Sequence, residues 1–154
     1  MTARQHFSTI LNDMDDIVYN HPYHAFALLA IMIEVLGKCL SSQKWQQDGQ
    51  SSTDFKKAIE EYPSLQQYKA IPDLYHILRC GMAHALLVKP GVKLVPKENN
   101  ISLHIIGCAD LYRDILHAWD DLNEMKVDTL RNLDEEVLSI KDEASGSTET
   151  KSYV

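Results

Sequence analysis

Cysteine is scarce in this 154-residue chain. There are three, Cys39, Cys80 and Cys108, an odd number with no C-x-x-C pair among them. Such spacing builds neither a disulfide framework nor a four-thiolate zinc site, and it fits a reducing compartment. Long apolar runs are missing too. The longest, Ala25 to Ile33, is interrupted by Glu34 and falls short of the roughly 20 residues that span a bilayer. The first residues, MTARQHFSTILND, hold no basic segment followed by a long apolar one, the pattern of a secretory signal. Internal repeats are absent. These absences lead us to expect a cytoplasmic protein with no membrane segment.

What is present suffices for one domain. Hydrophobic residues make up 45% of the chain and charged residues 24%, too apolar for a disordered chain. A domain of this size buries roughly 70% of its unfolded surface. The net charge of −7 is unevenly placed: residues 1–107 hold ten basic and ten acidic residues, and residues 108–154 hold five and twelve. A neutral body with an acidic C-terminal third can still carry a local basic site, so net charge does not exclude an RNA substrate.

Apolar spacing predicts an all-α, up-and-down bundle of about five helices over residues 1–143, with a disordered tail at 144–154. Phe7, Ile10, Leu11, Met14, Ile17 and Val18 recur at three and four, the stripe of an amphipathic helix over about 3–19. From Tyr23 to about Leu40 the chain is apolar around its whole circumference, which marks the central helix of a bundle. Its one acid, Glu34, either pairs with Lys38 four residues on or faces a polar cleft. Residues 41–53 read as a loop, and Phe55, Ala58, Ile59 and Tyr62 as a short helix that Pro63 ends. Pro72 and Asp73 suit the first turn of a helix over about 72–87. In VKLVPKENNISLHII, residues 92–106, β-branched residues on either side of PKENN predict a small β-hairpin before the last helix. Leu111, Ile115, Trp119 and Leu122 open that helix, and Leu130, Leu133, Val137 and Ile140 continue at coiled-coil spacing over about one and a half heptads, suggestive of a helix partner but too short to prove one.

The chemistry-bearing segment is Asp73-Leu-Tyr-His-Ile-Leu-Arg79-Cys-Gly-Met-Ala-His84. On a helical wheel Asp73, His76, Cys80 and His84 share one side and Arg79 borders it. Arg79 and His84 lie about 140° apart but only about 7.5 Å along the axis. A long Arg side chain can bend toward the imidazole if the helix loosens near Gly81. Together they offer a permanent cation and a group that titrates near neutrality. Cleavage of RNA by its own 2′-hydroxyl needs those two functions: a proton shuttle, and a cation for the pentacoordinate phosphorus. No metal is required. His76, Cys80 and His84 recur every four residues but cannot easily converge on one ion from a straight helix, so we assign no metal and no cofactor.

On these residues the chain resembles the HEPN superfamily, compact helical bundles whose fourth helix carries Arg-x4-6-His. Arg79-CGMA-His84 fits that motif in spacing, in its Leu-rich amphipathic lead-in and in following a central apolar helix that contains an acid. Cys80 stands where the family often has Asn, Asp or another polar residue after the Arg. The resemblance implies a metal-independent endoribonuclease that leaves a 2′,3′-cyclic phosphate and a 5′-hydroxyl, with a composite site built by two motif helices across a homodimer. It implies catalytic roles for Arg79 at the phosphorane and His84 as general base or acid, with Glu34 orienting Arg79. Many members are toxin or phage-defence components, which would bring an antitoxin or other protein partner. From the residues themselves, Lys89, Lys93 and Lys97, with His76, are candidates for gripping RNA phosphates beside the motif; the alternative for the lysines is a solvated hairpin face. The rival to an RNA-acting protein is a non-catalytic helical dimerisation or interaction module.

Overall fold

The computed structural model describes residues 2–41, 48–97 and 104–125. Among the described residues the chain is an all-α bundle with a small two-stranded sheet ahead of the last helix. Helix α1 runs Ala3–Asn20 and α2 Pro22–Cys39. The N-terminus of α1 is closed by a reciprocal cap: the Thr2 hydroxyl accepts from the Gln5 amide and the Gln5 side chain accepts from the Thr2 amide. His21-Pro22 separates the two helices, proline serving as the first residue of α2.

Helix α2 is the spine. Phe26, Leu29, Ile33 and Leu36 are wholly buried, each contributing roughly 1.5–3 kcal/mol by leaving water. By length and mean hydropathy (1.3 over 18 residues) α2 also matches a membrane-crossing helix, and half of it is buried inside the fold. Helix α3, Ser51–Glu61, crosses α2 at Gly37. A Cβ there would meet the Asp54 carbonyl oxygen at 1.7 Å, so only glycine permits the approach. The Tyr62 hydroxyl donates to the Leu36 carbonyl (2.9 Å) and Lys57 Nζ to the Leu40 carbonyl (2.8 Å), tying α3 to the C-terminal half of α2. Helix α5, Cys108–Glu124, closes the core: Phe7 packs on Trp119 with ring centroids 4.7 Å apart, and the Tyr112 hydroxyl donates to the Leu11 carbonyl.

Four local expectations are corrected. A 3-10 helix, Pro63–Ala70, follows α3 where no element was expected. It is pinned to α5 by the Tyr68 hydroxyl and the Gln67 amide on the Asp114 carboxylate (2.7 and 2.6 Å) and by the Ser64 hydroxyl on the Asp114 carbonyl. Tertiary hydrogen bonds, invisible to periodicity, hold that tight turn. The helix expected over 72–87 is composite and shorter: a π-helix, Tyr75–Cys80, runs into α4, Gly81–Ala85. Asp73 lies outside it at φ +55°, its carbonyl accepting from the His76 and Ile77 amides, and Leu86 ends it at φ +53°. Third, α3 begins within the stretch read as a loop, at Ser51.

The fourth correction concerns the sheet. Strands β1, Lys93–Val95, and β2, Ile105–Gly107, form where the β-branched runs predicted them, but they pair in parallel, Leu94 opposite Ile106. The hairpin is therefore overturned. Alternation fixes strand type and not strand direction, and PKENN is not one of the two-residue turns that reverse a chain. The residues proposed for a helix partner, Leu130 to Ile140, and the tail at 144–154 lie outside the described residues.

Because the Asp54 carbonyl occupies the space a Gly37 side chain would need, Gly37→Ala should lower stability by about 2–3 kcal/mol or more. Urea unfolding checks this; an unchanged midpoint would show that α3 is free to move off α2.

Candidate functional site

The site is built where the π-helix lies against α2 and the start of α3. Arg79 is the fifth residue of the π-helix, and its Nε donates to Glu34 Oε2 at 2.7 Å. The other oxygen, Oε1, accepts from the Ser51 hydroxyl at 2.7 Å. Both charged side chains are largely covered, 20% exposed for Arg79 and 14% for Glu34, so the pair is screened less than a surface ion pair. Among the described residues the guanidinium makes no further hydrogen bond, which leaves its two terminal amino groups to an incoming anion. The local Glu34–Lys38 pairing does not form: Glu34 directs its oxygens to Arg79 and Ser51, and the charge of Lys38 acts on Asp54.

The π-helix matters to this geometry. Its wider turn sits one residue before Gly81, and π-turns inside helices are found disproportionately at functional sites. Gly81 is needed there, because the chain folds back over it and a Cβ would meet the Leu87 carbonyl oxygen at 2.5 Å. His84, in the last turn of α4, is exposed, and no hydrogen bond joins it to Arg79 or Glu34. His76 is also exposed, its Nδ1 2.6 Å from Asp73 Oδ1. Lys89, Lys93 and Lys97 are all exposed, and Lys97 lines a cleft of about 470 Å³ with Tyr19, Pro22 and Ala109. The fold thus joins Arg79 to Glu34 and leaves His84, His76 and the three lysines open to solvent.

Three further residues of the site escaped the sequence. Ser51 and Asp54 fell in or beside a polar stretch that reads as a loop, and nothing in their spacing points to Glu34. Asp54 is 2% exposed, and its Oδ2 has no hydrogen-bond partner. Burial foremost raises its carboxyl above the ordinary value of 3.8; Lys38 opposes this, Glu34 adds to it and Lys57 opposes it. The third is Tyr75, whose phenol is raised chiefly by burial and then by its contact with the Cys80 thiol. Burial also pushes Cys39 and Cys108 up to about 12, so both thiols stay protonated. No cluster of three or more His, Cys, Asp or Glu side chains capable of holding a metal ion occurs among the described residues.

Comparison with protein-family models, with curated proteins and with solved structures returns no match for this chain.

Two measurements check the electrostatics. A double-mutant cycle on Glu34→Gln and Arg79→Met, followed by urea unfolding, should give a coupling energy of about 1–2 kcal/mol; zero coupling would mean that the pair does not hold in solution. Asp54 is easier to protonate folded than unfolded, so its contribution to stability is full at low pH and is lost as pH rises through its raised value. Asp54→Asn should therefore gain on the wild type as pH rises from below the ordinary carboxylate range through the raised value. A gap that stays constant would refute the burial argument.

Proposed function

We propose that the chain is an HEPN-like, metal-independent endoribonuclease that works as a homodimer in the cytoplasm. The observation that carries this reading is the Glu34–Arg79 pair. A guanidinium held through Nε by a largely covered carboxylate, with its terminal amino groups unused, is an anion receptor of fixed orientation. His84, five residues on and exposed, is the group assigned to proton transfer.

In the proposed reaction the ribose 2′-oxygen attacks the adjacent phosphorus, and its proton passes to a neutral His84. Arg79 balances the negative charge that accumulates on the phosphorane oxygens. The P–O5′ bond breaks, and the 5′-oxygen takes a proton from an imidazolium, leaving a 2′,3′-cyclic phosphate and a 5′-hydroxyl. Base and acid are two imidazoles if His84 of a second copy faces the same phosphate, which is why the reading needs a dimer. Exposed Lys89, Lys93, Lys97 and His76 supply the sequence-independent grip on flanking phosphates. A toxin or phage-defence setting, with an antitoxin as protein partner, belongs to the same proposal.

A second reading has its own observation. Tyr23, Leu28 and Ile31 on α2, with Leu86 and Leu87 after α4, are exposed large apolar side chains, as on a protein–protein contact face. That favours a non-catalytic interaction module.

The two readings separate in one assay. Cleavage of single-stranded RNA in EDTA, with end-group analysis, should show cyclic phosphate and 5′-hydroxyl ends. His84→Ala and Arg79→Ala should each lower the rate at least about 100-fold while Tm and oligomeric state survive. Wild-type protein that cuts no RNA, or variants that merely unfold, would favour the interaction module.

A further inference from the structure

One turn of the π-helix before Arg79 lies a second feature that the proposed chemistry does not use. A groove of about 120 Å³ opens between α3, the 3-10 helix and the start of the π-helix. Its wall holds Phe55 and Tyr75, and its rim carries Lys56, Lys69, Glu60 and Asp73. The Tyr75 ring has two ring neighbours. It stands edge-on to Phe55 at 5.6 Å and edge-on to His76 at 5.1 Å. His76 is fixed in turn by Asp73. A carboxylate can only accept, so Nδ1 carries the hydrogen and Nε2 points away from Asp73 as the free functional nitrogen. Asp73 reaches this position from a left-handed backbone, φ +55°, which aspartate tolerates better than most residues. The aromatic wall and the Asp73-paired imidazole thus stand beside two exposed rim lysines.

We propose that this groove is a nucleotide subsite, in which a base of single-stranded RNA stacks on Tyr75 while its phosphate is met by Lys56, Lys69 and His76. This rests on the ribonuclease reading and assigns it a substrate contact. Flat π-faces stack on aromatic side chains irrespective of sequence, and Arg, Lys and His take the backbone charge. Glu60 on the same rim can accept from an exocyclic amine, which favours adenine, guanine or cytosine over uracil. The same carboxylate disfavours an acidic peptide, the other anionic partner two lysines might attract. Being one turn from Arg79, the subsite holds a nucleotide flanking the one whose phosphate is cut.

The test titrates the full chain with AMP, UMP and inorganic phosphate separately, following backbone amide shifts by NMR. AMP should move the amides of Lys56, Lys69, Tyr75 and His76 and bind more tightly than UMP. Inorganic phosphate should bind at least about tenfold more weakly. Reversing the exposed rim charges, Lys56→Glu with Lys69→Glu, should weaken AMP at least about tenfold without changing Tm. AMP shifts elsewhere or nowhere, phosphate binding as tightly as AMP, or a short oligoglutamate binding there in preference would each overturn the subsite. RNA cleavage by the rim variant, run alongside, separates the two proposals. Undiminished cleavage would remove the subsite and keep the nuclease. AMP binding without any cleavage would keep the subsite and remove the nuclease.

Discussion

The backbone approach of α3 to α2 at Gly37 is the contact on which the candidate site depends. With the Asp54 carbonyl seated where a side chain would otherwise be, the first turn of α3 is brought within reach of the second half of α2. Ser51, the first residue of α3, then falls opposite Glu34, and Glu34 is oriented toward Arg79 across 45 residues of sequence. The cost falls on Asp54, whose carboxyl is buried with an oxygen unmatched. An arrangement that tolerates such a group has its gain elsewhere, here in a guanidinium whose direction is fixed by a neighbour that is itself fixed.

Around that contact the fold divides into an interlocked half and a locally strained half. Helices α1, α2 and α5 interlock through Phe7, Trp119 and Tyr112, and the 3-10 helix is clamped to α5 through Asp114. The segment from Tyr75 to Leu87 is built differently. It switches helical type at Gly81 and ends on a leucine in a conformation usually left to glycine. Local strain of this kind persists only where the surroundings enforce it. Here it lies on both sides of the residues that carry the proposed chemistry.

Much of the bundle was legible in the sequence because burial writes a period. The stripe from Phe7 to Val18 and the all-round apolar run of α2 are direct imprints of one-sided and complete burial. Departures from the regular period were not legible: the 3-10 turn depends on Asp114, 46 positions from Tyr68, and the π-turn shifts the wheel on which His76, Cys80 and His84 seemed aligned. Strand direction was hidden for a related reason, since alternation is the same read forwards or backwards. At the site, Arg79 and Glu34 were found through resemblance to a motif. Ser51, Asp54 and Tyr75 carry no periodic or spacing signal, because their meaning comes from a helix crossing that only the folded chain supplies.

The distribution of thiols has a practical reach. Cys39 and Cys108 are enclosed in the core and held in the protonated form, and Cys80 is the half-buried cysteine, adjacent to Arg79 in the chain. Of the three cysteines, Cys80 is the one suited to a single-point label next to the guanidinium. A maleimide dye or nitroxide placed on it would sense its surroundings without any engineered cysteine.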